Sequence, residues 1–325
     1  MVDDPGQIDD KPENTKYPVD EYLLIKNDLA ALDFVFRAVG KLDGQLQDIG
    51  RVFSANQVAV YITASALWAF ARNTARRAAY MLAFGVAVGV DRTIGPDDDP
   101  ERGQRVHEKV SKDLGTSEWS GRYDKLAESI ADENLNRFLA DRIAREATGH
   151  ILRQCTVLTW SAFEVLTSDL FVLLMNSNPK LSALLLKDER TKKLYQAKEF
   201  VVALEEYDYD LSRSMGDVLL RQCRMDNLET IRATYDVLFS RDEALHSALC
   251  DLQLWRLYKT RNLIVHRAAV VDEMFIKSTG SDMKVGTSLR ITSQQLEDFI
   301  VLVGKAGIEL LNAASRIQQV STSKQ

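Results

Sequence analysis

Apolar residues recur at three- and four-residue intervals along almost the whole chain, the spacing that gives successive α-helices one buried face each. Tyr22, Leu23, Ile25, Leu29, Leu32, Phe36, Val39 and Leu42 make one such face. The region from Val19 to Val90 therefore reads as two or three long helices, with Ser54-Ala-Asn-Gln57 as a capping box for the second of them. A polar break from Asp91 to Gly103, with Gly95-Pro96 and three consecutive aspartates, ends that unit. A second break from Ser111 to Gly121 marks a domain boundary.

Helices follow one another beyond Tyr123. One is expected over Leu126 to Thr148, stopped or kinked at Gly149. The next, His150 to Met175, places Cys155, Leu158, Ala162, Val165, Asp169 and Val172 on one arc and Trp160, Phe163, Thr167, Leu170, Phe171 and Leu174 on another. Two apolar arcs imply burial on more than one side. Asp226-Asn-Leu-Glu229 and Ser240-Arg-Asp-Glu243 read as capping boxes, the second opening a helix that runs to Arg267, about 40 Å long. Val270 to Ile291 holds Gly280, Gly286 and short β-type runs suited to a small hairpin. Thr292-Ser-Gln-Gln295 caps a last helix that closes the bundle.

The fold class is thus all-α, a helical bundle with a small hairpin before the last helix. Residues 1–17 form an acidic tail expected to be disordered, 18–120 an N-terminal helical domain, and 121–320 a second helical domain. The 325 residues carry a net charge of −6, so nucleic-acid contact has to come from a local basic patch. Val58 to Phe70 and Ala78 to Val90 are shorter than the roughly 20 residues a membrane span needs, and Arg72, Arg76 and Arg77 interrupt them. No membrane association is expected. The three cysteines, Cys155, Cys223 and Cys250, read as reduced thiols of a cytoplasmic protein.

One stretch departs from the pattern. Arg261-Asn-Leu-Ile-Val-His-Arg267 sets an arginine, an asparagine and a histidine in an apolar segment. At about 100° per residue, Leu254, Leu257, Tyr258, Ile264 and Val265 all fall within about 60° of Arg261, which therefore sits in the apolar stripe. A guanidinium there needs a carboxylate, a phosphate or a subunit interface, because an unpaired buried charge costs several kcal/mol. Asn262 and His266 are i, i+4 neighbours about 100° to 140° further round. Spacing alone is uninformative, since each of the four histidines has an arginine five positions earlier: Arg102/His107, Arg145/His150, Arg241/His246 and Arg261/His266. The apolar setting singles out the last pair. His107, His150 and His246 read as ordinary helix residues, and neither a metal nor a cofactor is expected.

Arg261-Asn262-xxx-His266, followed by Arg267-Ala-Ala-Val-Val-Asp-Glu-Met-Phe, resembles the Arg-(polar)-xxx-His signature of the HEPN superfamily of helical RNases and related domains. Leu158-Thr-Trp-Ser-Ala-Phe-Glu164-Val-Leu resembles the first core helix of that fold, and the resemblance covers roughly residues 145 to 318. It implies a metal-independent endoribonuclease in which His266 is the general base or acid, Arg261 holds the phosphate and Asn262 orients one or the other. Position at a helix C-terminus favours a cationic imidazole at His266. Lys259 and Arg267 are the candidate RNA-binding residues, and Glu164 the carboxylate that orients Arg261. In the resembled family two such helices meet across a dimer or between paired domains, so one motif implies a homodimer through this helix. Defence or stress response, with a regulatory or antitoxin protein as a further partner, is the setting the resemblance suggests.

Two other readings stand beside this one. A non-catalytic HEPN-like module would use the same face to bind RNA, a protein or a second copy. A purely structural scaffold would saturate Arg261 with Glu164 and use His266 as a helix cap.

Overall fold

The computed structural model describes residues 18–23, 29–90, 101–114, 116–195, 205–240 and 242–322. The expected tail over residues 1–17 and most of the polar break after Val90 lie outside the described residues. The protein is all-α. Its helices are α1 (Val19–Tyr22), α2 (Asp33–Val39), α3 (Gly44–Val90), α4 (Arg102–Leu114), α5 (Ser117–Ala140), α6 (Arg142–Ser177), α7 (Ser182–Lys187), α8 (Met215–Gln222), α9 (Leu228–Leu238), α10 (Glu243–Leu249), α11 (Leu252–Arg267), α12 (Glu273–Thr279) and α13 (Ser293–Thr322).

The chain divides into two compact units that are not consecutive in sequence: residues 1–27 with 64–150, and residues 28–63 with 151–325. The sequence reading drew its boundary near residue 120. The physical reason for the difference is that α3 and α6 run on without interruption, each contributing one part to each unit. Ser54-Ala-Asn-Gln57 accordingly lies inside α3 and caps nothing; the Ser54 hydroxyl donates back to the Arg51 carbonyl at 2.9 Å. Gly149 likewise lies inside α6. The break falls at Asp141, whose carboxylate accepts from the Ala144 amide at 2.9 Å and opens α6.

In the first unit, Val19 and Leu23 pack with Leu135 and Leu139 of α5, backed by Leu67, Trp68 and Ala71 of α3. Val106 and Val110 of α4 pack against Tyr80, Ala83 and Phe84. The basic cluster at residues 72–77 is partly engaged: Arg72 lies over the Trp68 ring at 5.0 Å, and Arg76 pairs with Asp124 at 3.6 Å.

In the second unit, α6 is the central rod. Trp160, Phe163, Leu166, Leu170 and Phe171 are fully or almost fully buried. The Trp160 ring packs 5.1 Å from that of Tyr258 on α11, and the Tyr235 hydroxyl donates to the Thr167 carbonyl at 2.5 Å. Gly304 and Gly307 let α13 approach closely: a Cβ at Gly307 would stand 2.4 Å from the Phe53 ring and 2.9 Å from Leu166. Of the two expected arcs on α6, the one with Trp160 is buried. On the other arc Leu158 and Val165 are 47% and 39% exposed.

By length and composition α6 alone among the described helices reaches what a membrane crossing requires, and 56% of its apolar window is buried within the protein.

The expected hairpin reduces to one isolated antiparallel bridge, Val270 to Ser288, reinforced by Val271 N to Thr287 O at 2.9 Å and Leu289 N to Ala269 O at 2.7 Å. Helix α12 occupies the interval between the paired segments. The Arg153 guanidinium of α6 donates to the Leu289 carbonyl at 3.2 Å and ties the bridge to the central rod.

Candidate functional site

The segment expected to be one long helix from Ser240 is two. Asp242 caps α10 by accepting from Leu245 N at 3.1 Å. The chain then turns at Cys250, and Asp251 accepts from Gln253 N at 2.6 Å to open α11. Leu254, Leu257, Tyr258, Leu263 and Ile264 make its buried face.

Arg261 projects from this face. Its Nη2 lies 3.3 Å from the Glu164 carboxylate of α6, and both side chains are 19% exposed. Nη1 donates to the Asn262 side-chain oxygen at 3.1 Å, while Nε is buried and has no hydrogen-bond partner among the described residues. Glu164 also accepts from the Trp160 indole nitrogen at 2.5 Å. Burial is the main influence on this carboxyl group and raises its pKa; the Arg261 charge and the Trp160 hydrogen bond oppose that shift, and Asp226 adds to it.

The pair opens on a cavity of about 670 Å³ whose wall also carries Asp169, Asp217, Arg221, Arg224 and Asp226. Four carboxylates and three guanidiniums thus face one space. Asp169 too has its pKa raised by burial.

His266 sits in the last turn of α11, as expected, but does not line that cavity. It is exposed, and with Lys259, Asn262 and Arg267 it borders a separate recess of about 180 Å³ closed by Asp272, Met274 and Phe275. The 140° separation of Arg261 and His266 around a straight helix accounts for this, at about 100° per residue. Asn262 is the one candidate residue that reaches both, bonded to Arg261 and bordering the His266 recess. Lys259 Nζ lies 4.1 Å from the Trp255 ring centroid and 5.2 Å from that of Tyr258, a cation–π arrangement that leaves the ammonium beside the recess. Arg267 pairs with Asp272 at 3.4 Å.

Sequence reasoning found the Arg261–Glu164 pair and missed the rest of the larger wall. Trp160, four residues before Glu164, carried an i, i+4 signal for a hydrogen bond to it. Arg221, Arg224 and Asp226 come from α8 and the turn after it, and no local pattern ties them to α11.

No family model, curated protein or solved structure matches the chain.

Proposed function

We propose that the second unit is a HEPN-type endoribonuclease that cleaves RNA by attack of the 2′-hydroxyl on the adjacent phosphate, without a metal or cofactor, as a homodimer assembled through α11. The observation that supports this best is the convergence of Lys259, Asn262, His266 and Arg267 on one recess, joined through Asn262 to the half-buried Arg261 guanidinium, whose Nε has no partner among the described residues. His266 takes the 2′-hydroxyl proton or returns one to the 5′-oxygen. Arg261 of the facing copy neutralises the crowded phosphate. Lys259 and Arg267 hold neighbouring phosphates, Asn262 orients the imidazole, and Glu164 orients Arg261. Products are a 2′,3′-cyclic phosphate and a 5′-hydroxyl end. A cytoplasmic role in defence or stress response, under a regulatory or antitoxin protein, follows from analogy with the resembled family and rests on that alone.

A second reading is favoured by one specific observation. Glu164, already held by Trp160, pairs with Arg261 closely enough to satisfy much of its charge. In that reading the domain is a non-catalytic HEPN-like module that binds RNA, a protein or a second copy through the α11 face.

Incubating the protein with mixed RNA in excess EDTA separates the two. Cleavage that leaves cyclic-phosphate ends and disappears in His266→Ala supports the nuclease. Full cleavage by His266→Ala, or RNA binding with no cleavage by the wild type, removes it. His266 is exposed, so its truncation leaves the fold intact, and an unchanged helical circular-dichroism signal checks this.

A further inference from the structure

A second constellation, away from the Arg261 region, is complete within one chain. His246 and Cys250 are i, i+4 at the end of α10, fixed by the bond from Cys250 N to His246 O at 2.9 Å. The Cys250 Sγ lies 3.8 Å from His246 Nε2. The other ring nitrogen, Nδ1, lies 3.0 Å from the Asp236 carboxylate on α9. Thiol and carboxylate therefore address opposite nitrogens of one imidazole. Metal ligands would instead converge on a point, and among the described residues no group of three or more His, Cys, Asp or Glu side chains is arranged to hold a metal. The order here is nucleophile, base and orienting carboxylate.

The parts differ in exposure as such a relay requires. Asp236 is the anchored member, 21% exposed and also 3.7 Å from Arg190, which in turn pairs with Asp188. His246 is 61% exposed and Cys250 is exposed, so a solute reaches the sulfur. Cys155 and Cys223 are buried, and burial pushes both thiols up, Cys155 to about 11. Cys250 is the accessible one of the three cysteines.

We propose that Cys250 is a base-activated thiol that undergoes reversible thiol–disulfide exchange with a small-molecule disulfide. Asp236 holds the tautomer with the proton on Nδ1, which leaves Nε2 to accept the Sγ proton. The thiolate attacks one sulfur of the incoming disulfide; its Sγ–S bond forms as the reagent's S–S bond breaks, and the other sulfur leaves as a thiolate that takes the proton from the imidazolium. No electrons are gained or lost overall. The mixed disulfide then sits one residue before Asp251, the cap of α11, so the modification falls at the start of the helix that bears Arg261.

The test uses the full-length native protein at neutral pH with 5,5′-dithiobis(2-nitrobenzoic acid), followed by absorbance, and with glutathione disulfide, followed by intact mass. One thiol per chain reacts quickly, and Cys250→Ser removes that phase. His246→Ala slows it by roughly tenfold, the loss of a neighbouring base. Asp236→Asn slows it by a smaller factor, while in guanidinium chloride all His-containing and His-lacking variants react alike. A His246→Ala rate within about twofold of wild type overturns base activation. Persistence of the fast phase in Cys250→Ser overturns the assignment to Cys250, and an Asp236→Asn rate equal to wild type overturns the positioning role of Asp236.

Discussion

Arg261 and Glu164 stand 3.3 Å apart, nitrogen to oxygen, across the packed faces of α11 and α6, and each side chain is 19% exposed. Burial nevertheless dominates Glu164 and leaves its pKa above the ordinary 4.5. A pKa raised in the folded state means the folded protein binds that proton more tightly, so the group's contribution to stability is complete below the unfolded pKa and is lost as pH rises through the folded one. Glu164→Gln has no such dependence. The stability of wild type relative to Glu164→Gln is therefore expected to be more favourable at pH 4 than at pH 7. Thermal unfolding of both proteins at the two values checks this, and a difference of opposite sign refutes the placement of Glu164 in a desolvated pair.

Trp160 is fully buried and does two things at once, packing on Tyr258 and donating to Glu164. Replacement by Phe keeps an aromatic ring and deletes the donor. The expected cost is about 2–4 kcal/mol, a hydrogen bond to a charged acceptor plus a partly filled void. A double-mutant cycle with Glu164→Met, which removes the acceptor, isolates the first part. A coupling of about 1 kcal/mol or more is expected in denaturant unfolding, and additivity of the two single changes would deny the bond any energetic role.

Legibility in the sequence tracked whether a feature was made locally. Thr292 and Gln295 form the reciprocal box read from their spacing, with Thr292 N donating to Gln295 at 3.1 Å and Gln295 N to Thr292 at 3.2 Å. The Asp226–Glu229 box marks the right turn but is one residue early: Asn227, not Asp226, caps α9, accepting from Glu229 N at 2.8 Å. The break at Asp251 lacked a capping box, since Leu254 stands where one would need Glu or Gln, and its one trace was the five-residue step from Leu249 to Leu254, which turns the apolar stripe by about 140°. Ser54 to Gln57 satisfied the box pattern inside an uninterrupted helix. Contacts between distant segments decided that case, as they decided the division into two units. For the candidate site, the pairing of Arg261 with Glu164 was legible from the stripe, whereas the separate cavities of Arg261 and His266 required the packing of α8 and α12. The spacing of His246 and Cys250 was also in the sequence, but Asp236, on another helix, is what makes it a relay.

Ala268 ends α11 in the left-handed region at φ 50°, and Ala269 follows at φ 63°. The Ala269 amide reaches back to the Leu263 carbonyl at 3.1 Å, a closure that glycine makes without a Cβ penalty. Ala268 is exposed, so its Cβ has no packing to lose. Ala268→Gly is expected to stabilise the protein by about 1 kcal/mol. Denaturant unfolding measures it, and a loss of stability would place the terminus of the motif helix in a different backbone conformation.

Gly216 opens α8 against α6 with its amide donating to the Asn176 side chain at 2.7 Å. A Cβ there would stand 2.7 Å from both the Cα and the carbonyl oxygen of Val172, which are backbone atoms of a packed helix and yield little. Gly216→Ala is expected to destabilise by about 1–3 kcal/mol despite the better helix propensity of alanine. Because the next residues, Asp217, Leu220 and Arg221, line the Arg261 cavity, the displacement also reshapes that wall. Unchanged stability would mean that α8 docks less closely than this geometry requires.

Arg261 and His266 border separate cavities of one chain, which decides how a dimeric nuclease would have to be built. If each site takes the guanidinium from one copy and the imidazole from the other, then Arg261→Gln and His266→Ala chains are each inactive alone. Mixed after brief unfolding and refolding in equal amounts, half of the dimers pair unlike chains, and each of these regains one intact site of two. Activity of roughly a quarter of wild type is therefore expected in the mixture, by the reciprocity of a two-fold interface. Gln keeps the inner carbons and a polar end while removing the charge, so the variant perturbs the packing of α11 less than truncation to Ala. Zero activity in the mixture, with wild type active and both variants folded and dimeric, would require both groups to act from the same chain and would rule out the shared arrangement.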